Sequence, residues 1–215
     1  MTATNQTGAA SQLDLTADMT AAERERRSRI IQAAEQALNQ DGEHGLQMKP
    51  LADRAGVALA TLYRYFPSKD HILVAVSLDR HLRSLGRIGS TQFVGETAGE
   101  RAADLMLREF RSAQRSPDML AALHRVMNGA DRSMGEYIEA IIGALNAMLR
   151  AAVSQGQGAP TKEQESLLPV FTASANDAMT QWFRGTLSAE DTRARIRQAS
   201  RLLDLPTEIV REYLI

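Results

Sequence analysis

Side chains that can bind a nucleic acid are concentrated between residues 49 and 69. Among them are Lys49, Thr61, Tyr63, Arg64, Tyr65 and Lys69. Ammonium groups and phenolic hydroxyls donate hydrogen bonds to phosphate oxygens, which positions a protein on a duplex without reading its sequence. A threonine near the start of a helix can reach a base edge or a thymine methyl group, and an arginine can bind guanine through two hydrogen bonds. The pattern therefore predicts a surface that contacts double-stranded DNA.

No residues with the spacing of an enzyme site or a metal site accompany these side chains. The four histidines form no HxxxH or HExxH pattern, and the chain has no nucleophile elbow and no phosphate-binding loop. Cysteine is absent, which excludes disulfides, thiolate chemistry and a cysteine zinc site. We therefore predict a non-enzymatic protein without a cofactor or a metal. Retention of a metal or an organic cofactor by the purified protein would reopen the enzyme alternative.

The spacing of small and apolar residues predicts the element that presents this surface, a helix-turn-helix between Lys49 and Phe66. Such a motif needs an apolar and a small residue in its first helix and a residue that tolerates positive φ at the turn. It also needs apolar residues in its second helix that face back to the first. These requirements are met in order by Leu51, Ala52, Gly56, Val57, Leu62 and either Tyr65 or Phe66. The alternative is an ordinary helical hairpin inside a core.

The run from Leu51 to Lys69 resembles the signature of the TetR family of bacterial repressors. Its most diagnostic part is the segment Thr-Leu-Tyr-Arg-Tyr-Phe-Pro-Ser-Lys at 61–69. The resemblance extends from Arg24 to Val76, and the rest of the chain is similar only in length and helical layout. Within the family, residues 47–49 and 61–66 are also similar to the repressors of steroid and cholesterol catabolism in actinobacteria.

The resemblance implies particular DNA contacts. Lys69 is similar to the family's phosphate-anchoring lysine at the start of a helix, where the positive helix end adds attraction. Lys49 occupies the position of a contact from the start of the second helix, although a solvated surface lysine is the alternative. Arg64 could read guanine or face solvent. Leu59 and Ala60 stand where other members have polar residues, so base readout there would depend on van der Waals contact and DNA shape.

The net charge of −1 argues against a broad basic surface of the kind that many nucleic-acid-binding domains carry. Residues 21–70 contain eight Lys and Arg residues against seven Asp and Glu residues. Positive charge is concentrated at Arg24, Arg26, Arg27 and Arg29. Attraction to phosphate would therefore come from a small patch, and binding would depend on the site and on salt.

Composition and periodicity predict an all-α protein. Ala, Leu, Arg, Gln and Met are abundant, and no segment alternates in the manner of a strand. Residues 1–20 lack sustained periodicity and are predicted to be a disordered tail. By the resemblance, residues 21–68 form a three-helix DNA-binding domain and residues 69–215 a helical domain for effector binding and dimerisation. We predict helices at about 21–39, 49–55, 59–65, 69–85, 100–115, 118–130, 133–154, 161–185, 188–203 and 206–214, with a loop at 86–99.

The resemblance implies a ligand cavity among the middle helices, where six of the nine methionines fall. Flexible thioethers conform to irregular apolar ligands, although methionines at helical spacing are more often ordinary core. Few polar groups lie on these faces, which favours a mostly hydrophobic effector. The closer resemblance implies a steroid, a lipid or an acyl-coenzyme A thioester. The predicted lining is Leu105, Met106, Phe110, Leu123, Met127, Met134, Tyr137, Ile138, Ile141, Leu145, Phe171, Asn176 and Trp182.

The resemblance also implies a homodimer in which the helices at about 161–185 and 188–203 of two chains form a four-helix bundle. The alternative is an intramolecular hairpin of the same two helices. A dimer would read a palindromic operator, whereas one short recognition helix reads few bases. The predicted dimer contacts are Ala173, Ala175, Ala178, Trp182, Phe183, Ile196 and Leu203.

Together these features predict a ligand-responsive transcriptional repressor that binds its operator as a dimer and is released by a hydrophobic small molecule. A regulator whose helical body docks a protein partner, and a transcriptional activator, stay open as alternatives. No apolar run approaches the roughly 18 residues of a membrane-spanning helix, and no signal-peptide core is evident at the N-terminus. We therefore expect a cytoplasmic protein that does not bind a membrane.

Overall fold

The computed structural model describes residues 15–128, 132–156 and 158–213. Within these ranges the regular structure is helical and no strand occurs, which confirms the predicted all-α class. Of the predicted N-terminal tail, residues 1–14 lie outside the described ranges, and residues 15–20 form a turn that leads into the first helix. The α-helices are α1 (Ala21–Asp41), α2 (Met48–Ala55), α3 (Leu59–Tyr65), α4 (Lys69–Gly86), α5 (Ala98–Arg115), α6 (Pro117–Asn128), α7 (Gly135–Ser154), α8 (Lys162–Phe183), α9 (Ala189–Ser200) and α10 (Thr207–Tyr213). Short 3₁₀ helices are Gly42–Gly45, Ile88–Ser90, Arg132–Met134 and Arg201–Asp204.

Helix α1 begins and ends at residues that favour helix termini. The Thr20 hydroxyl accepts a hydrogen bond from the Glu23 N–H, and the Glu23 carboxylate accepts one from the Thr20 N–H, which completes a capping box. Gly42 ends the helix with a φ of 62°, a conformation that costs glycine little. Between these ends the residues at three-to-four spacing face the core, and the buried ones are Ile30, Ile31, Ala33, Ala34 and Ala37.

Helices α2 and α3 form the predicted helix-turn-helix. Gly56 ends α2 in the left-handed region, with a φ of 64° and a ψ of 40°, and its N–H donates to the Ala52 carbonyl. Leu62 and Phe66 are 0% exposed, whereas Tyr65 is only partly buried. Phe66 is therefore the inward-facing residue of the two candidates. Together with Leu62 it anchors α3 in a core that α1, α2 and α4 share.

Most predicted helix bounds differ from the structure by one to three residues, and two of these differences have a clear local description. Helix α5 begins at Ala98 rather than near residue 100, because the Thr97 hydroxyl caps it and the Glu100 carboxylate accepts a hydrogen bond from the Thr97 N–H. The predicted loop at 86–99 is correspondingly shorter and includes the 3₁₀ helix Ile88–Ser90. Helix α9 stops at Ser200, and the chain continues as the 3₁₀ helix Arg201–Asp204.

The chain packs as two compact units. The first contains the residues up to Ser84 together with Asp118–Ala144, and the second contains Leu85–Pro117 together with Leu145–Ile215. The main core of the first unit is built from α1–α4 and Met119. A smaller cluster of the same unit, here called the Val74 cluster, consists of Val74, Val126 and Met134, with Leu123, Tyr137, Ile138 and Ile141 packed against it. The predicted division by function at residue 68 stays a prediction.

The second unit has an apolar core of its own. Phe110, Phe171 and Ile196 are each 0% exposed within it. The Phe110 ring meets the Trp182 ring edge-on, with 5.1 Å between centroids, which is a favourable arrangement of aromatic quadrupoles. The buried Arg101 guanidinium donates to the Ala152 and Val153 carbonyls, both at 3.0 Å. Since the last carbonyls of a helix lack intrahelical partners, Arg101 satisfies the C-terminus of α7.

Helix α7 corrects the expectation that no segment is long and apolar enough to span a membrane. By length and composition alone its 20 residues reach that range. The core helix of a protein outside the membrane can be equally long and apolar. Within this protein, 44% of the most apolar 18-residue stretch of α7 is buried. Glu136, Glu139 and Arg150 are exposed on α7, which is the pattern of a helix with one face in a core.

We predict that Gly56→Ala destabilises the protein by about 1 kcal/mol, because a Cβ is disfavoured at this left-handed φ. No neighbouring atom lies within 4 Å of the added Cβ, so the cost would be conformational rather than steric. Gly86→Ala is the matched control. The space at Gly86 is equally open, but its backbone is helical, so alanine should be neutral or stabilising. Chemical denaturation would measure both, and equal effects would contradict the role assigned to the turn.

Candidate nucleic-acid interface

Helix α3 presents one face to solvent and one to the core. Leu59 and Tyr63 are 39% and 46% exposed, and Ala60 and Arg64 are exposed beside them. Residues four apart share a face of a helix, so these four side chains form one continuous surface. Leu62 lies on the opposite face. The structure therefore brings together four of the residues that the sequence predicted as DNA contacts.

The other predicted contact residues flank that surface to different extents. Thr61 and Tyr65 are partly buried. Lys49 is exposed in the first turn of α2, whereas Lys69, the first residue of α4, is partly buried. The DNA-binding role of each of these residues stays a prediction.

Tyr65 is held by two arginines. Arg26 Nη1 donates a hydrogen bond to the Tyr65 hydroxyl oxygen at 3.4 Å. The Arg64 guanidinium lies 5.5 Å from the centroid of the Tyr65 ring, within the range of a cation–π contact. Because the hydroxyl oxygen accepts from Arg26, its proton is still available for donation to a phosphate. The contact from Arg26 also holds α1 against the last turn of α3.

The four clustered arginines of α1 divide into two pairs. Arg24 and Arg29 are exposed, whereas Arg26 and Arg27 are partly buried. Both members of the second pair contact aromatic side chains, Arg26 through the hydroxyl of Tyr65 and Arg27 over the ring of Phe66 at 5.5 Å. Only two of the four arginines in the predicted basic patch are therefore fully exposed to solvent.

A carboxylate joins α1 to α4. Glu35 Oε1 accepts from Arg80 Nε at 2.8 Å, and Glu35 Oε2 accepts from Arg83 Nη2 at 2.7 Å. Partial burial alone would raise the pKa of Glu35. Hydrogen bonds from Arg83 and Arg80 outweigh that effect and hold the pKa below its ordinary value. The fold therefore favours the charged form of this carboxyl.

Two polar contacts join the start of α4 to residues 118–144. The buried His71 side chain hydrogen-bonds through Nδ1 with Ser68 Oγ at 2.8 Å and through Nε2 with Ser133 Oγ at 3.0 Å. Asp70 Oδ1 accepts from Arg125 Nη2 at 3.1 Å. Both ring nitrogens of His71 thus have hydroxyl partners. In the described part of the chain, no group of three or more His, Cys, Asp or Glu residues could hold a metal ion.

The predicted ligand-lining residues fall in both packing units, and their ligand-binding role stays a prediction. Met134 belongs to the Val74 cluster of the first unit, and Leu123, Tyr137, Ile138 and Ile141 pack against it. Asn176 is exposed, so it does not line a core, and the side chain of Met127 lies outside those that the structure describes. The remaining residues belong to the core of the second unit or pack against it, and they are Leu105, Met106, Phe110, Leu145, Phe171 and Trp182.

The predicted dimer residues differ in exposure. Ala173 and Phe183 are exposed, and Trp182 is partly buried. Val170, which the sequence prediction did not include, is 51% exposed on the same helix. Dimer contacts at these positions stay a prediction. The other four residues are covered by this chain's own side chains, as in an intramolecular hairpin of α8 and α9, and they are Ala175, Ala178, Ile196 and Leu203.

Sequence reasoning missed the side chains that hold the helix-turn-helix in place. Arg26 and Arg27 were identified only as charges, because nothing local to α1 indicates the rings that they meet. The contacts of His71 with Ser133 and of Asp70 with Arg125 join residues 62 and 55 positions apart. Such pairs arise from tertiary packing, and the periodicity of apolar residues along the sequence does not indicate them.

Two family descriptions match this chain. Residues 30–76, which include the whole helix-turn-helix, match the family described as bacterial regulatory proteins, tetR family. Residues 95–203 match the family described as tetracyclin repressor-like, C-terminal domain. The two matches thus cover the surface of α3 and most of the helices that follow α4.

Individual relatives agree with these matches. The chain is 32% identical over 182 residues to the HTH-type transcriptional repressor KstR of Mycobacterium tuberculosis, covering 85% of this chain and 82% of the relative. A solved TetR transcriptional regulator from Rhodococcus sp. RHA1 is similar with a TM-score of 0.69 and 26% identity, covering 86% of this chain and 98% of that one. The regulator FadR from Bacillus subtilis, solved in complex with stearoyl-CoA, is similar in fold, with a TM-score of 0.56 and 19% identity, covering 82% of this chain and 96% of that one.

We predict that the stabilising contribution of Glu35 depends on pH. The folded pKa lies below the ordinary value of 4.5, so the contribution is present above that pH and is lost as the pH falls through the folded pKa. Glu35→Gln should therefore lower the Tm at pH 7 and have a progressively smaller effect as the pH is lowered below 4.5. Thermal unfolding at a series of pH values would measure this. Glu25→Gln, at an exposed position of the same helix, is the control. A Tm difference for Glu35→Gln that is constant with pH would contradict the prediction.

Proposed function

Because this chain belongs to the TetR family of bacterial transcriptional regulators, we propose that it is a ligand-responsive repressor that binds a palindromic operator as a homodimer. Binding of a hydrophobic small molecule of the steroid, lipid or acyl-coenzyme A type would release it from DNA. Repression is supported by the similarity to the repressor KstR, which extends over 85% of this chain. We place its action in the cytoplasm, where its operator would be.

The observation that carries the proposal is the outer face of α3. Tyr63 and Arg64 offer a phenolic hydroxyl and a guanidinium, while Leu59 and Ala60 offer apolar contact to thymine methyl groups. The seven residues of α3 span about 10 Å, which fits within the major groove and reaches only a few base pairs. A second copy of the helix would supply the remaining specificity, which is why we propose a dimer and a palindrome.

The proposed mechanism is a shift between two arrangements of the dimer. In the operator-bound arrangement the two copies of α3 lie about 34 Å apart, one helical turn of DNA. A ligand that binds more tightly to a different arrangement would draw the population away from DNA. A ligand with equal affinity for both arrangements would leave their populations unchanged. By reciprocity, operator DNA would weaken ligand binding by the same factor.

The effector class is inferred from the apolar side chains of the predicted lining. Met106, Met134 and Phe110 are buried in apolar clusters, and such surroundings favour a ligand with a large apolar surface. A steroid follows from the resemblance of residues 47–49 and 61–66 to actinobacterial steroid-catabolism repressors. FadR, which shares the fold, was solved with stearoyl-CoA, so an acyl-coenzyme A is a second probe to test.

We predict that Lys49→Gln weakens operator binding about threefold to tenfold and lowers the magnitude of the salt slope by about one, because one phosphate contact is lost. The operator would first be obtained by selecting random duplexes with the purified protein. Lys162→Gln is the matched control, because it removes the same charge from an exposed position in α8. Fluorescence anisotropy at several salt concentrations would measure the affinities. Equal losses for both variants would assign the effect to net charge rather than to a contact.

The same selection tests the operator itself. We expect two half-sites related by two-fold symmetry, with centres about 10 base pairs apart or a multiple of that spacing. Enrichment of a single, unrepeated half-site would contradict the proposed dimeric reading. Thr61→Ala, selected in parallel, should relax the preference at one position of each half-site, because the variant lacks the hydroxyl that reaches a base edge.

We predict that a ligand which raises the Tm also weakens operator binding. Stearoyl-CoA, stearic acid, cholesterol and free coenzyme A would be screened by thermal shift, and any stabilising compound would be added to the operator complex. Loss of the complex at concentrations that stabilise the protein is the expected result. Stabilisation without any change in operator affinity would show that the proposed coupling is wrong. If none of the probes stabilises the protein, the proposed effector classes fail, and a body that docks a protein partner becomes the better hypothesis.

A further inference from the structure

We propose that Arg27 is a positioning residue that ties the recognition helix α3 to the start of α7. The inference rests on the proposed function, because it concerns how α3 is held for DNA. All of the residues involved belong to the first packing unit. This connection consists of the contacts of Arg27, which lies in α1, with residues next to α3 and in α7. It is separate from the covalent connection of α3 to α4.

The Arg27 guanidinium lies close to two aromatic rings from distant parts of the chain. It is 5.5 Å from the centroid of Phe66 and 5.9 Å from the centroid of Tyr137, and both distances are within cation–π range. Arg27 Nη2 also lies 3.5 Å from the Tyr137 hydroxyl oxygen, to which it donates a long hydrogen bond. Because Arg27 is partly buried, solvent and salt screen these attractions less than they would at the surface.

Phe66 connects this contact to the DNA-binding face. Its N–H donates to the Leu62 carbonyl at 2.9 Å and so closes the last turn of α3. Its ring is 0% exposed in the core beneath that helix. A shift of the ring would therefore move the end of α3, where Tyr63 and Arg64 are exposed.

Tyr137 connects the contact to the Val74 cluster. It lies in the first turn of α7 and packs against both the main core of the first unit and the Val74 cluster. That cluster includes Met134, one of the predicted ligand-lining residues, and Ile138 and Ile141 pack against it. Any repacking of the cluster would move the Tyr137 ring, and with it the guanidinium that also contacts Phe66.

The chemistry of this position calls for arginine. A planar, weakly hydrated guanidinium can contact the faces of two rings and still direct an N–H to a hydroxyl. Lysine carries the same charge on a compact, strongly hydrated ammonium and would not satisfy both rings. Arg27→Lys should therefore lose the contacts with Phe66 and Tyr137 although the net charge is kept.

The test uses the full-length chain with Arg27→Gln, Arg27→Lys, Tyr137→Leu and Tyr137→Phe. Arg29→Gln is the control, because Arg29 is exposed on the same helix and carries the same charge. Affinities are measured for the selected operator and for a scrambled duplex of equal length, and their ratio gives the specificity. Hydrogen–deuterium exchange of residues 59–66 is measured without DNA, and thermal unfolding checks that each variant is folded.

We expect Arg27→Gln, Arg27→Lys and Tyr137→Leu to lower the specificity about threefold to tenfold and to speed exchange in residues 59–66. Tyr137→Phe keeps the ring and should retain most of the wild-type specificity. Arg29→Gln should leave the specificity and the exchange unchanged, because charge loss weakens both duplexes alike.

The proposal is wrong if Tyr137→Leu lowers the Tm while the specificity and the exchange of residues 59–66 stay at wild-type values, since Tyr137 and Arg27 would then serve packing alone. Failure of the wild-type chain to enrich any duplex would instead contradict the proposed function. The exchange measurement does not depend on DNA, so in that case it would still decide whether α7 and α3 are tied.

Discussion

The recognition helix depends on the burial of two side chains, Leu62 and Phe66. Seven residues are too few for a helix to be stable alone in water, because nucleation fixes several residues for each hydrogen bond that is gained. Leu62 and Phe66 are both fully buried, and each would contribute roughly 2 kcal/mol or more by leaving water. The left-handed turn at Gly56 directs them into the core. The exposed donors of the opposite face, Tyr63 and Arg64, occupy defined positions only because this burial fixes the helix axis.

Several arginines near the helix-turn-helix make contacts within the protein. Arg26 and Arg27 contact aromatic side chains, and Arg80 and Arg83 are paired with Glu35. Part of the positive charge near the helix-turn-helix therefore serves packing and helix–helix contact. Five of the eight Lys and Arg residues in 21–70 are exposed, and they are Arg24, Arg29, Lys49, Arg54 and Arg64. Non-specific attraction to phosphate would come from these few charges, and specificity would depend on the fit of α3 in its groove. The absence of a large basic excess is thus compatible with a DNA-binding face.

Local patterns predicted the fold well because most of its elements are determined by nearby residues. The turn at Gly56, the stop at Gly42 and the buried spacing along α1 all follow from residues within one or two helical turns. The choice between Tyr65 and Phe66 was open, since adjacent aromatic residues fit the pattern equally and only packing separates them. The partners of Arg27, His71 and Asp70 were beyond reach for the same reason. The apolar character of α7 was missed because Glu136, Glu139 and Arg150 interrupt its apolar residues along the sequence.

The packing of the first unit extends beyond the helix-turn-helix and includes residues that the sequence analysis assigned to the effector domain. Residues 118–144 pack in the same unit as α1–α4, and they contact it through Ser133, Arg125 and Tyr137. Helix α4 is buried continuously from His71 to Leu78, and it shares the core of the first unit with α1–α3. Residues 69–84 and 118–144 are therefore structural parts of the unit that presents α3, and the division by function stays a prediction. A change in packing around Tyr137 or Ser133 is consequently a change within the unit that contains α3, and it needs no separate path to reach that helix.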